Sequence, residues 1–155
     1  MDFVVTGLDP APFRPLYGMS ERGLSSRGVV RMTVDAEPGY PDRIEMRDAS
    51  IGETVLLLNH VSLDVRGPYR ASHAIFIREG AQATFRAINE IPEVLYRRTL
   101  SLRAFDSDGM MVDATLATGD EIGPAVSHLL ERSDTAFIHA HNAIRGCYAG
   151  RIERL

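Results

Sequence analysis

The stretch Thr99 to Leu116 constrains this chain most. Thr99–Phe105 and Met110–Leu116 both carry strand patterns, and Asp106-Ser107-Asp108-Gly109 lies between them. Aspartate and serine side chains bond back to their own backbone, and glycine accepts the positive φ that closes a tight turn. A hairpin commits this part of the chain to an antiparallel sheet. Turn chemistry also accounts for the acidic residues: Asp106, Asp108 and Asp113 form too short a run for a calcium loop, and no glutamate follows at the required spacing. A second hairpin is expected at the end, with Thr135–Asn142 and Gly146–Glu153 as strands around Ala143-Ile144-Arg145.

The remaining segments extend the pattern. Phe3–Thr6 reads as a strand, and Ser20 and Gly28 bracket a short helix as N-cap and stop. Val29–Asp35 has strand character, Arg43–Arg47 alternates weakly, and Thr54–Leu58 is a buried strand. A loop of about a dozen residues is expected to follow, running through Tyr69. His73–Arg78 is a strand carrying Ile75 and Ile77 on the histidine's face, with Ala83–Ala87 expected as its partner across Glu79-Gly80. Pro92 opens a helix to about Arg97. Glu121–Arg132 is helical, with Ile122, Val126, Leu129 and Leu130 as its apolar stripe. Strands outnumber helices and join by short turns. The expected fold is therefore α+β, a largely antiparallel β-sheet with helices packed on one face, as a single globular domain over 1–155.

Composition removes several function classes. With 45% hydrophobic and 25% charged residues the chain matches an ordinary globular protein. Its net charge of −4 offers no general attraction to nucleic acid or to an acidic membrane. No apolar run approaches the roughly 20 residues of a membrane helix. Met1–Val5 lacks the features of a secretory signal, so a cytoplasmic protein is expected. One cysteine excludes an intrachain disulfide and any zinc site built on two cysteines of this chain. All 17 basic residues are arginine, so no lysine Schiff base or Walker lysine exists. Any anion held by a charged side chain must meet a guanidinium. Seven of these arginines lie between Arg66 and Arg103 against three glutamates, a local excess of +4. The simplest account of that excess is pairing with acidic residues elsewhere.

Chemistry concentrates in two segments. Phe137 to Ile152 holds His139, His141, Asn142, Arg145, Cys147, Tyr148 and Arg151. His139 and His141 lie two apart on a strand, so their imidazoles share a face and suit a transition metal such as zinc if a third ligand joins them. Otherwise one histidine is packed beside Phe137 and the other lies nearer the edge. Cys147, expected across from His141 or Ala140, is a candidate nucleophile, with His141 or His73 as the base and Asn142 as orienting group, although a free cysteine is more often a small buried hydrophobe. The second segment is Tyr69-Arg70-Ala71-Ser72-His73. There Tyr69, Arg70 and Ser72 suit a phosphate or carboxylate, with Arg145 and Arg151 joining from the C-terminal hairpin; the alternative is a loop anchored by local side chain–backbone hydrogen bonds with Arg70 in solvent.

Three stretches, Gly7–Phe13, Tyr69–Glu79 and Gly146–Ile152, resemble the bacterial family catalogued as domain of unknown function 1203. The resemblance spans nearly the whole chain. It implies a small bacterial single-domain protein and carries over no activity. The leading expectation is a small anionic ligand bound where the His73 strand meets the C-terminal hairpin, with no cofactor. The alternatives are a metal-binding protein using His139 and His141, and an interaction module using a sheet edge or the loop from Val61 to Ser72.

Overall fold

A computed structural model describes residues 1–155 throughout. In chain order its elements are β1 (Phe3–Thr6), α1 (Glu21–Ser25), β2 (Val30–Thr33), β3 (Thr54–Leu63), β4 (Ala71–Arg78), β5 (Arg86–Ile88), α2 (Glu93–Tyr96), β6 (Leu100–Phe105), β7 (Met111–Ala117), α3 (Ile122–Glu131), β8 (Phe137–Asn142) and β9 (Tyr148–Arg154). The fold is α+β and its strands pair antiparallel, as the turn chemistry requires. No helix is long and apolar enough to cross a membrane. The chain divides into two compact units. One comprises Met1–Thr6, Val61–His73 and Arg86–Leu155; the other comprises Gly7–His60 and Ala74–Phe85.

The first unit holds a six-stranded sheet in the order β5-β1-β9-β8-β6-β7. The β6–β7 hairpin closes as its sequence dictates. Asp106 Oδ1 accepts from the backbone N–H groups of Asp108 and Met110 at 2.9 Å each, and Gly109 takes φ +80°. Strand alternation gives one face Leu100, Leu102, Ala104, Ile138, Ala140 and Ile152, all fully buried. Ile122, Val126, Leu129 and Leu130 of α3 are buried as well, each such side chain worth roughly 1.5–3 kcal/mol of burial. Arg154, on the same face as Ile152, donates to the Leu130 carbonyl (Nε, 3.0 Å) and to the carbonyls of Arg132 and Thr135. A guanidinium thus caps the C-terminal end of α3, where carbonyls lack partners.

The second unit carries a three-stranded sheet, β2-β3-β4, and a core of Phe13, Leu24, Ile44, Leu56, Ile75 and Ile77. Ser20 caps α1 as expected, its Oγ accepting from the Gly23 N–H at 3.1 Å, and Gly28 takes φ +70°. Gly7 passes so close to the Ile44 carbonyl that a Cβ there would collide with it.

Two local expectations are corrected. β3 runs on to Leu63 instead of stopping at Leu58, and the loop shrinks to 64–70, because the polar Asn59, His60 and Ser62 and the exposed Val61 continue the strand without the hydrophobic run that marks its first half. The strand after Gly80 is Arg86–Ile88, and it pairs with β1 rather than with the His73 strand.

Candidate functional site

The face of the six-stranded sheet opposite α3 is where the histidines lie. Phe137, His139 and His141 alternate along β8. Their cross-strand neighbours on β6 are Phe105, Arg103 and Ser101. On β9 they are Arg151, opposite His139, and Tyr148, opposite His141, with a bulge between the two pairs.

His139 is enclosed by aromatic rings. Phe137 and Tyr148 lie 5.0 Å away between ring centroids and Phe105 lies 5.6 Å away, while Phe105 stacks on Phe137 at 5.4 Å. Both His139 and His141 are 2% exposed, so neither occupies an open edge. The Arg151 guanidinium covers Phe137 at 3.9 Å and donates to Glu153 at 2.7 Å.

His141 is held by the turn that follows it. Gly146, at φ +77°, donates its N–H to Asn142 O at 2.7 Å and presents its own carbonyl to His141 Nδ1 at 2.9 Å. A carbonyl only accepts, so Nδ1 carries a proton. The ring of His73 meets that of His141 edge to face, with centroids 4.9 Å apart. Ser62 Oγ lies 3.4 Å from His73 Nδ1 and 3.4 Å from the Ala71 carbonyl. Burial holds the half-buried His73 below the usual histidine range, and the Arg103 charge adds to that shift. Arg103 donates through Nε to Ser101 Oγ at 3.2 Å, a hydroxyl rather than a carboxylate. A continuous series of neighbours therefore runs Ser62, His73, His141, Ser101, Arg103, drawn from β3, β4, β8 and β6.

The other residues singled out in the sequence lie elsewhere. Arg70 pairs with Asp64, and both side chains are exposed. Tyr69 turns its ring to Phe105 at 6.1 Å and so anchors the loop. Ser72 is exposed and alternates away from His73 along β4. Arg145 is exposed in the β8–β9 turn. Cys147 precedes β9 and its carbonyl pairs with Asn142 N–H, so it stands across from Asn142 rather than from His141 or Ala140. Its thiol accepts from Asn142 Nδ2 at 3.6 Å, and Asn142 lies on the α3 side of β8, away from the imidazoles. No three His, Cys, Asp or Glu side chains are grouped to hold a metal ion.

Ser62, Ser101 and Arg103 were not singled out from the sequence. The alternation of Ser101, Arg103 and Phe105 within the β6 strand pattern was the available signal. What it lacked was the identity of the neighbouring strand.

A family model described as a protein of unknown function (DUF1203) matches residues 39–154. The chain belongs to this family. The match contains every residue of the series from Ser62 to His141, and two of the three stretches that carry the resemblance; Gly7–Phe13 precedes it. No curated protein and no solved structure matches the chain.

Proposed function

We propose that this DUF1203 protein binds a small anionic ligand on the sheet face lined by Ser62, His73, Ser101 and Arg103, with His73 as the group that takes or gives a proton. The observation that carries this reading is Arg103. It is half-buried, bonds to a hydroxyl, and stands near enough to His73 to oppose its protonation. Such a guanidinium is a ready partner for a carboxylate or phosphate. The anchoring role expected of Arg70 and Arg145 passes to Arg103, since Arg70 is engaged by Asp64 and Arg145 faces solvent. His73, kept neutral by its surroundings, is suited to accept a proton from a bound ligand.

A bacterial cytoplasmic setting is part of the same proposal, and one free cysteine is compatible with it. Strand addition at the outer edge of β7 is a weaker reading. Asp113 Oδ1 accepts from the Ala114 N–H at 2.8 Å and the Thr115 hydroxyl reaches the Leu116 carbonyl at 3.4 Å, so the edge's own side chains occupy groups a partner strand needs.

Thermal-shift titration with inorganic phosphate, sulfate and acetate tests the proposal. The expected result is a rise in melting temperature that Arg103→Gln abolishes. An equal rise in Arg103→Gln, or none in the parent protein, would refute it.

A further inference from the structure

We infer that His141 is the positioning residue for His73, and that the turn closing the C-terminal hairpin fixes His141 for that task. The inference rests on the reading of His73 as the group that takes or gives a proton, and adds how that imidazole is held.

Burial divides the two histidines. His141 is 2% exposed, so its ring is closed to solvent and to anything arriving from solvent. His73 is half-buried and retains access to solvent. A group as enclosed as His141 acts through its neighbour. That neighbour is His73, with ring centroids 4.9 Å apart and 76° between the ring planes. An edge-to-face pair sets the tilt of each ring against the other. Ser62 Oγ stands 3.4 Å from His73 Nδ1, a long contact that holds the ring only loosely. Packing against His141 supplies the constraint that this contact does not.

His141 is oriented in turn by two features of its own hairpin. The first is the turn. His141 Nδ1 donates to the Gly146 carbonyl at 2.9 Å, and Gly146 reaches that position with φ +77° and its N–H given to Asn142 O at 2.7 Å. The second is the bulge. Ala140 stands opposite Gly150, but His141 stands opposite Tyr148, so Ala149 is one residue extra on β9. Such an insertion re-aims a side chain. Here it sets the Tyr148 ring at 88° to His141, with centroids 6.0 Å apart. A left-handed glycine and a bulge thus converge on one imidazole. The other charged and titratable groups around the pair are Arg103 on β6, His139 on β8, Arg151 on β9, which is paired with Glu153, and the Arg70–Asp64 pair of the loop 64–70.

Proton NMR titration of His73, assigned with His73→Gln, tests the inference without a ligand. The decisive pair is Gly146→Ala and Gly52→Ala. Both glycines have a left-handed φ, +77° and +92°, with open space where a Cβ would lie, so alanine strains both turns alike. Only Gly146 carries the carbonyl bonded to His141. The expected result is a change of at least about twofold in the proton affinity of His73, about 0.3 pH unit, in Gly146→Ala and none in Gly52→Ala. His141→Ala should move the His73 midpoint furthest, upward towards 6.5, because water then relieves the burial that holds it down. His141→Phe keeps a ring against His73 and should return the midpoint part of the way to that of the parent. Far-ultraviolet circular dichroism verifies that each variant is folded, and the two His141 variants decide the matter if Gly146→Ala is not. A His73 midpoint unmoved in His141→Ala, or moved equally by Gly146→Ala and Gly52→Ala, overturns the inference. A parent protein that shows this coupling and ignores phosphate overturns the anion reading alone; one that responds to phosphate without the coupling overturns the positioning role alone.

Discussion

In the unit built from 7–60 and 74–85, arginines meet carboxylates. Arg31 forks onto Glu79 at 2.9 and 2.7 Å, Arg47 onto Glu53 at 2.8 and 2.9 Å, and Arg78 donates to Glu45 at 2.6 Å. Asp42, 1% exposed, accepts backbone N–H groups of Glu45 and Arg78 at 2.7 and 2.8 Å. In the other unit Arg103 meets a serine, beside two histidines in ring contact. The same residue type does two jobs. Where its partner is a carboxylate, as it also is for Arg70, Arg132 and Arg151 in the unit of Arg103, arginine helps to hold loops and strands in place. Where the neighbours are hydroxyls and neutral imidazoles, the field of the guanidinium remains available to a ligand. Charge in the unit of 7–60 and 74–85 is thus expected to matter for stability, and charge at Arg103 for binding.

The strongest challenge to that contrast is Asp42→Ala. It strips a buried acceptor from two backbone donors and should cost about 3 kcal/mol, read as a lower urea midpoint at unchanged slope. A cost below about 1 kcal/mol would mean the buried acceptor there is incidental. Next is Gly109→Ala, which probes packing in the unit that carries the site. Gly109 sits at φ +80°, and a Cβ there would lie 2.7 Å from Val65 Cγ1. A loss of about 1–2 kcal/mol is expected from backbone and overpacking together.

Acid should separate the two regions. Hydrogen bonding from Arg47 brings the Glu53 carboxyl down to about 2 from an ordinary 4.5. A depressed acid contributes stability above its unfolded value, and that contribution is lost as pH falls from 4.5 towards 2. His73 works in a higher window. Its folded value lies below the ordinary 6.5, so the unfolded chain binds the extra proton and stability declines as pH falls through 6.5. Melting curves against pH should show Glu53→Gln flattening the lower slope and His73→Gln the upper one. A single shared slope, moved by both variants, would erase the distinction. The smallest effect on stability is expected at Arg103→Gln, within about 0.5 kcal/mol. A larger loss would mark Arg103 as another structural charge.

Much of the architecture was legible beforehand. Phe3–Thr6, the β6–β7 hairpin, the Ser20-capped helix, α3 and the closing hairpin all follow local rules about turns, caps and periodicity, and those rules act over a few residues. The continuation of β3 through Asn59-His60 was harder to read, because polar residues on an exposed face carry little hydrophobic signal. The partner of β5 was not legible at all: Arg86–Ile88 pairs with β1, eighty or more residues earlier in the chain. In the site, His73 and His141 were recognised as candidates from their segments. Ser62, Ser101 and Arg103 look like ordinary surface residues of a strand until their neighbours are known.

The order of residues alone determined the antiparallel habit, the turns, the absence of lysine chemistry and the family, since each depends on side-chain type or short-range backbone preference. Only the tertiary structure decided which strands lie together. It thereby decided that Cys147 faces Asn142, that Arg70 is engaged by Asp64, and that His73 touches His141 beside Arg103. Those outcomes are set by long-range strand pairing, whose energy is shared among many contacts and leaves no mark on any one short segment.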